Sequence, residues 1–314
     1  MNPTLLSNGF CFGKGPGWFE GLPAGASLPR QDADWCPTTR ERIMSDFYYE
    51  LIDESLVKGQ RFTATDLVRS TWSHAIQHGA PPSALLVRGL ERCAPRDDTR
   101  LSRVVIDLLG AVPAEGDLWV RSRVERPGKQ IELVSAEMLA PGPDGQPRPV
   151  ARASGWRLKT LPTEATVRAP ARPLRPLTDA VSRDLAKDWD RNYVHSVDWR
   201  WLSGPRDPGP GESWIRPIVK LVKGEVMTPL ERLFTVADDA NGIGTKLDIT
   251  KWTFMNTDLV VHVHRIPDGE WIGIRAETSY GPDGIGTTFG TLFDEGGAIG
   301  GSQQSVLVRP HPKR

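Results

Sequence analysis

Residues 257–271 read TDLVVHVHRIPDGEW, and this stretch decides the fold. Thr257 to His264 is β-branched and apolar with a histidine at every second place near its end, the pattern of a strand. Pro267-Asp268-Gly269 is turn chemistry, and Glu270-Trp271 opens the next apolar alternation. Two further strands follow, Ile285 to Phe293 and Ile299 to Arg309, separated by Gly281-Pro282-Asp283-Gly284 and Asp294-Glu295-Gly296-Gly297. With Trp271 to Ser279, that makes a four-strand antiparallel meander.

Working outward, the spacing predicts a helix before the meander, over Thr228–Ala240, with Thr228 as N-cap and Pro229 at its first position. Gly242 is expected to stop it. A strand carrying Val194, Val197, Trp199 and Trp201 and a Gly/Pro loop at 204–211 precede that helix. The first half reads the same way. A strand over Phe62–Val68 leads to a helix opened by Pro81 and Pro82 and running through Leu90, followed by strands Leu101–Leu109, Leu118–Val124, Ile131–Leu139 and Val150–Leu158. An offset of about 152 residues lays Trp119 on Trp271 and Arg157 on Arg309. Two copies of one unit account for the chain length.

Composition agrees. The chain has 314 residues, a prior for two domains at roughly 150 each. Its 31 Gly and 27 Pro are about 18% of the chain against a usual level near 12%, as many short turns require. Lys+Arg and Asp+Glu are both 39, so the formal net charge is zero, which argues against broad binding to nucleic acid or anionic membrane. Cys11, Cys36 and Cys93 offer neither a disulfide framework nor a Cys-x-x-Cys pair. No run approaches 18 consecutive apolar residues, and no apolar secretory segment opens the chain, so a soluble, cytoplasmic protein is expected.

Residues 1–43 carry neither period, and the run Gly13-Lys14-Gly15-Pro16-Gly17 is typical of them. They read as a flexible extension, with Met44 as the working initiator; an arm packed through Trp18 and Phe19 is the alternative. Pro162, Pro170, Pro173 and Pro176 mark an extended linker, closed by a short polar helix around Leu185–Trp189.

A duplicated unit of helix plus four-strand meander resembles the double hot-dog fold, an α+β architecture in which two tandem units each wrap an antiparallel sheet around a long helix. The second half resembles the acyl-CoA thioesterase II family more specifically. It has an Asp six residues before His264-Arg265, a Pro after them, Glu270-Trp271 opening the neighbouring strand, and a close running from Leu292-Phe293-Asp294 through Gln304 to Arg309. The domains implied are an N-terminal hot-dog at 44–160, a Pro-rich linker at 161–190 and a C-terminal hot-dog at 191–314.

The resemblance implies hydrolysis of acyl-CoA to free acid and CoA by direct water attack, with no cofactor and no metal. It also implies acyl-CoA as the substrate partner, and units that would pair as a homo-oligomer. Its catalytic set of Asp, Thr or Ser, and Gln falls on Asp258, on Ser279 or the adjacent Thr278, and on Gln304. Alternation favours Ser279, which shares a face with Trp271, Arg275 and Glu277, and the choice stays open. Expected substrate contacts are His78 and Gly79, in the loop entering the first helix, and His264 and Arg265. The chemistry is coherent: a carboxylate can deprotonate water while a hydroxyl and an amide hold it. First-turn N–H groups of the 228–240 helix are candidate oxyanion donors.

Each residue also has a plain reading, as a turn, cap or solvated strand position. His262 and His264 share a strand face but lack a third metal ligand in the pattern. Arg100, Arg103, Arg121, Arg123 and Arg126 read by default as a solvated sheet face, and a CoA phosphate contact would use the same residues. Asp238-Asp239-Ala240-Asn241-Gly242 has the wrong spacing for a calcium loop and reads as a helix end. Two other classes stay open: a non-catalytic acyl-CoA or acyl-carrier binding protein, and a hot-dog transferase or dehydratase using an inward His262 or His264.

Overall fold

Short alternating runs separated by Pro and Gly turns can bury their apolar sides only by pairing edge to edge around something apolar, and the two helices supply it. The structure is a computed structural model and describes residues 45–55, 59–142, 144–183, 192–205 and 207–311. The expected extension at 1–43 and the helix around Leu185–Trp189 lie outside the described residues. Met44–Arg314 forms one unit.

The first half contributes strands β1 (Phe47–Ser55), β2 (Gly59–Ala64), β3 (Thr99–Leu108), β4 (Asp117–Arg126), β5 (Ile131–Pro141) and β6 (Pro147–Lys159), with helix α1 (Ala80–Arg92) after β2. The second contributes β7 (Val197–Ser203), β8 (Gly211–Pro217), β9 (Lys220–Val222), helices α2 (Pro229–Ala237) and α3 (Ala240–Gly244), then β10 (Trp252–Asn256), β11 (Asp258–Val263), β12 (Ile272–Tyr280), β13 (Ile285–Asp294) and β14 (Gly297–Pro310). The structure adds β1, β8, β9 and a separate β10 to the expected strands.

All fourteen strands share one sheet, in the order β7-β8-β12-β13-β14-β11-β3-β6-β5-β4-β2-β1-β9, with β10 also on β14. From the β11–β3 seam the order runs alike in both directions: a last strand, then its two predecessors, then strands that precede the helix, except that β9 of the second half is added beside β1 at the far edge. The seam is antiparallel, with Leu259 opposite Ile106, Val260 opposite Val105 and Val261 opposite Val104. This is a double hot-dog, duplicated as the sequence repeat requires. Among the described residues no helix is long and apolar enough to cross a membrane.

Helix α1 is buried at every residue from Ala80 to Leu90, as expected of a helix enclosed by a curved sheet. Helix α2 starts as its sequence predicts: the Thr228 side chain accepts from Glu231 N and the Glu231 side chain accepts from Thr228 N, a capping box. It ends earlier than expected. Asp238 and Asp239 keep right-handed helical dihedrals, then the chain re-forms a short helix, α3, that contains Gly242 instead of stopping there. The re-aimed segment is pressed against β8, where a Cβ on Gly211 would lie 1.9 Å from the Ile243 carbonyl oxygen. Part of the Pro-rich segment is also held: Leu174 is buried with Leu202, Trp214 and Phe293, and Arg275 donates to the carbonyls of Arg172 and Pro173.

Candidate active site

Where α2 ends, two consecutive carboxylates are buried: Asp238 and Asp239 are each 5% exposed. A helix C-terminus carries partial negative charge and burial penalises ionised groups, so this is an unfavourable place for an acid pair. Structure alone gives no reason for it, which directs attention to function.

The neighbours explain what the pair can do. Asn256, at the end of β10, donates from Nδ2 to Asp238 Oδ1 at 2.6 Å. Gln304, 1% exposed on the inward face of β14, donates from Nε2 to the Asp238 carbonyl at 3.0 Å and to Oδ1 at 3.3 Å. Because the Asp238 carbonyl can only accept, the amide orientation is fixed, and Oε1 is left buried with no partner among the described residues. Burial pushes the Asp238 carboxyl up to about 6; hydrogen bonds from Asn256 and Gln304 oppose the rise, and the charge of Asp258 adds to it. Asp239 is raised well above the carboxylate range, chiefly by burial. Its Oδ2 lies 2.7 Å from the Tyr193 hydroxyl, itself 2.7 Å from the Thr235 carbonyl. The Tyr193 hydroxyl has one proton for two acceptors and donates toward Asp239 Oδ2 and the Thr235 carbonyl.

The first half closes the site. The His78 ring stacks on Tyr193 at 3.9 Å and 6°. Its Nδ1 accepts from Ala80 N at 3.3 Å and lies 3.8 Å from Asp238 Oδ2, while Nε2 lies 3.7 Å from Asp239 Oδ1. Burial lowers the imidazole to about 3, so it is neutral with its proton on Nε2. Gly79 makes the close approach possible: a Cβ there would sit 2.5 Å from Asp238 Oδ2. Asp238, Asp239, Asn256 and His78 line a pocket walled by Trp72, Trp199, Trp201 and Phe254, with about 50 Å³ open to the centres of water-sized molecules.

Of the residues expected from sequence, Gln304, His78 and Gly79 come together here. The others do not. Asp258 is half-buried, and its Oδ1 accepts from Ser305 N at 2.7 Å; its charge reaches Asp238 but no hydrogen bond joins them. Ser279 is exposed, because the buried face of β12 is the Ile272, Ile274 and Ala276 face, and Thr278 belongs to that one. The Thr278 hydroxyl meets Thr288 Oγ1 at 2.8 Å and is not bonded to Asp238. His264 is exposed, and so is His262. Arg265 is committed to Asp294, which also accepts from the N–H groups of Asp268 and Gly296, so this ion pair locks a turn. The α2 first turn lies at the opposite end of a nine-residue helix, about 13 Å away, where Thr228 donates to Glu91. It therefore supplies no oxyanion donors to this site.

Sequence reading missed Asp238, Asp239, Asn256 and Tyr193. A signal was present: an apolar helix ending in two consecutive acids.

The duplication yields the site once. In the first half the inward face of β6 has no acid or amide at the helix: a Cβ on Gly155 would meet Leu101 Cδ2 at 2.6 Å and Leu90 Cδ1 at 3.2 Å.

Comparison with known proteins gives matches to both halves. Residues 68–158 match the acyl-CoA thioesterase N-terminal domain and residues 174–308 the acyl-CoA thioesterase C-terminal domain. No curated protein matches the chain. Among solved structures, a hot-dog protein of unknown function from Alicyclobacillus acidocaldarius is 12% identical with a TM-score of 0.63, covering 83% of this chain and 97% of its own. For a putative thioesterase II from Thermobifida fusca the values are 14%, 0.62, 84% and 96%. For a putative thioesterase from Novosphingobium aromaticivorans they are 17%, 0.60, 83% and 98%. At these identities the structures speak for the fold.

Proposed function

Because the chain belongs to the acyl-CoA thioesterase family through both its N- and C-terminal domains, we propose that it hydrolyses acyl-CoA thioesters, with Asp238 as the base that activates water. The observation that carries this reading is the buried Asp238 carboxylate, held by Asn256 and Gln304 beside a small pocket. A carboxyl near 6 is ionised at neutral pH and more basic than an exposed one, which suits it to take a proton from water.

A water between Asp238 Oδ2 and Gln304 Oε1 would donate to both. As its oxygen bonds to the thioester carbonyl carbon, its proton passes to Asp238. The tetrahedral adduct then collapses, the C–S bond breaks, and the thiol leaves with a proton returned from Asp238. No covalent enzyme intermediate is needed. Positioning and proton transfer together are the two effects the residues supply, and a general base alone is worth about 10²–10⁴-fold. Thiol release from a panel of CoA esters, by the native chain and by Asp238→Asn, tests the reading. No release by the native chain, or full release by the variant, would defeat it.

One observation favours a second reading. His78 sits beside Asp238, and with the ring packed against it the Asp238 carboxylate could take the C2 proton of a 3-hydroxyacyl thioester and hand it to the departing hydroxyl, which leaves as water. Appearance of the enoyl thioester's ultraviolet band without thiol release would identify that chemistry.

A further inference from the structure

Two side chains that line the pocket beside Asp238 each carry a buried polar atom with no hydrogen-bond partner among the described residues. Trp201 is 4% exposed and lines the pocket, and its indole Nε1 is buried with no hydrogen-bond partner. Asn241 is 6% exposed, lines the same pocket, and has an unpartnered buried Oδ1. The Asn241 orientation is not arbitrary: its Nδ2 donates at 3.1 Å to the Phe254 carbonyl, which can only accept, so the oxygen must be the free end. Trp199, stacked on Trp201 at 5.8 Å and 9°, contrasts with it, since the Trp199 Nε1 donates to the Val194 carbonyl.

A buried donor or acceptor left unpaired costs on the order of 1–3 kcal/mol, so such a pair in one pocket points to a ligand that answers both. A hydroxyl is the group that could do so, accepting from Trp201 and donating to Asn241. The room is small: about 50 Å³, or roughly four waters at about 10–15 Å³ each. Trp72, Trp199, Trp201 and Phe254 close it with rigid rings, against a long alkyl chain.

Building on the hydrolytic reading above, we propose that this pocket selects short acyl groups bearing a hydroxyl, and that Trp201 and Asn241 determine that specificity. The probes are 3- and 4-hydroxybutyryl-CoA, butyryl-CoA and palmitoyl-CoA, read by thiol release. The better hydroxybutyryl ester should exceed butyryl-CoA in kcat/KM by about tenfold, as one good neutral hydrogen bond allows, and palmitoyl-CoA should be the poorest. Trp201→Phe, which keeps a ring and removes the N–H, should bring the hydroxybutyryl-to-butyryl ratio to about one. Equal rates for the hydroxylated and plain esters in the native chain would overturn the specificity while leaving hydrolysis standing. So would a preference for palmitoyl-CoA, or an unchanged ratio in the variant. Release from none of the four would defeat the hydrolytic reading and this one with it.

Discussion

Gln304 donates through one nitrogen to both the backbone carbonyl and the carboxylate of Asp238, at 3.0 and 3.3 Å. The bond to the carbonyl ties the last strand to the end of α2, and the bond to Oδ1 orients the acid with the same atom. Positioning and fold integrity are thus joined at one side chain. The base is therefore held by the inward face of β14 as well as by its own helix.

Asp238→Asn should lower kcat for thiol release by at least about 10²-fold, because a neutral amide cannot take the proton of the attacking water. The fold should survive. The Asp238 carboxyl is raised above its unfolded value, so its contribution to stability is full at low pH and lost as pH rises through about 6. Removing the buried charge should therefore leave the melting temperature at pH 8 unchanged or higher. Asp258→Asn, by contrast, should keep most of the activity. The reverse order of effects would place the base at Asp258.

How much of this could be read without coordinates depends on what each residue's signal rests on. The meander was legible because strand period and turn chemistry are local, and the duplication because both copies repeat them. Gln304 was legible through the resemblance to the acyl-CoA thioesterase II family, since on strand pattern alone it reads as a solvated position. Asp238 was not, since Asp238-Asp239 resembles an ordinary polar helix end until α2 is known to finish under β10 and β14. Asn256 and Gln304 lie 18 and 66 residues from Asp238 and meet it only through sheet pairing. Between Ser279 and Thr278 the alternation was read correctly, but the face it favoured, that of Ser279, is the solvent side of β12.

The acid limb of the pH–rate profile should report Asp238. The base must be ionised, so kcat/KM should be flat above about 6 and fall about tenfold per pH unit below it. Asp258→Asn removes a negative charge that raises Asp238 and should move the limb to lower pH without changing the plateau. A limb near the ordinary aspartate value, unmoved by Asp258→Asn, would show that another group is being titrated.

Gly79→Ala tests the contact between the halves. The added Cβ would lie 2.5 Å from Asp238 Oδ2, so either the 77–80 loop or the carboxylate must shift. Relieving that contact takes a shift of up to about 1 Å, and a misplacement of about 1 Å at the reacting group is worth about 10²-fold in rate. Activity should fall by that amount while kcat/KM keeps its pH dependence, because the acid itself remains. Undiminished activity would mean that the His78–Gly79 loop does not set the position of Asp238.

The helix pair also carries a partly buried acid, distant from the chemistry, whose effect is on stability alone. Glu91 of α1 accepts from the Thr228 hydroxyl at 2.6 Å, and burial pushes it up to about 7. The Thr228 bond and the charge of Arg92 oppose that rise, while the charge of Glu231 adds to it. With the folded value above the ordinary 4.5, the Glu91 contribution is full below about 4.5 and lost as pH rises through about 7. Glu91→Gln retains an acceptor for Thr228 and never ionises. Thermal melts should show the variant more stable than the native chain at pH 8, by up to about 3 kcal/mol, and indistinguishable from it at pH 4.5. A variant less stable at pH 8 would mean that ionised Glu91 is held favourably by Arg92, and that the α1–α2 contact depends on its charge.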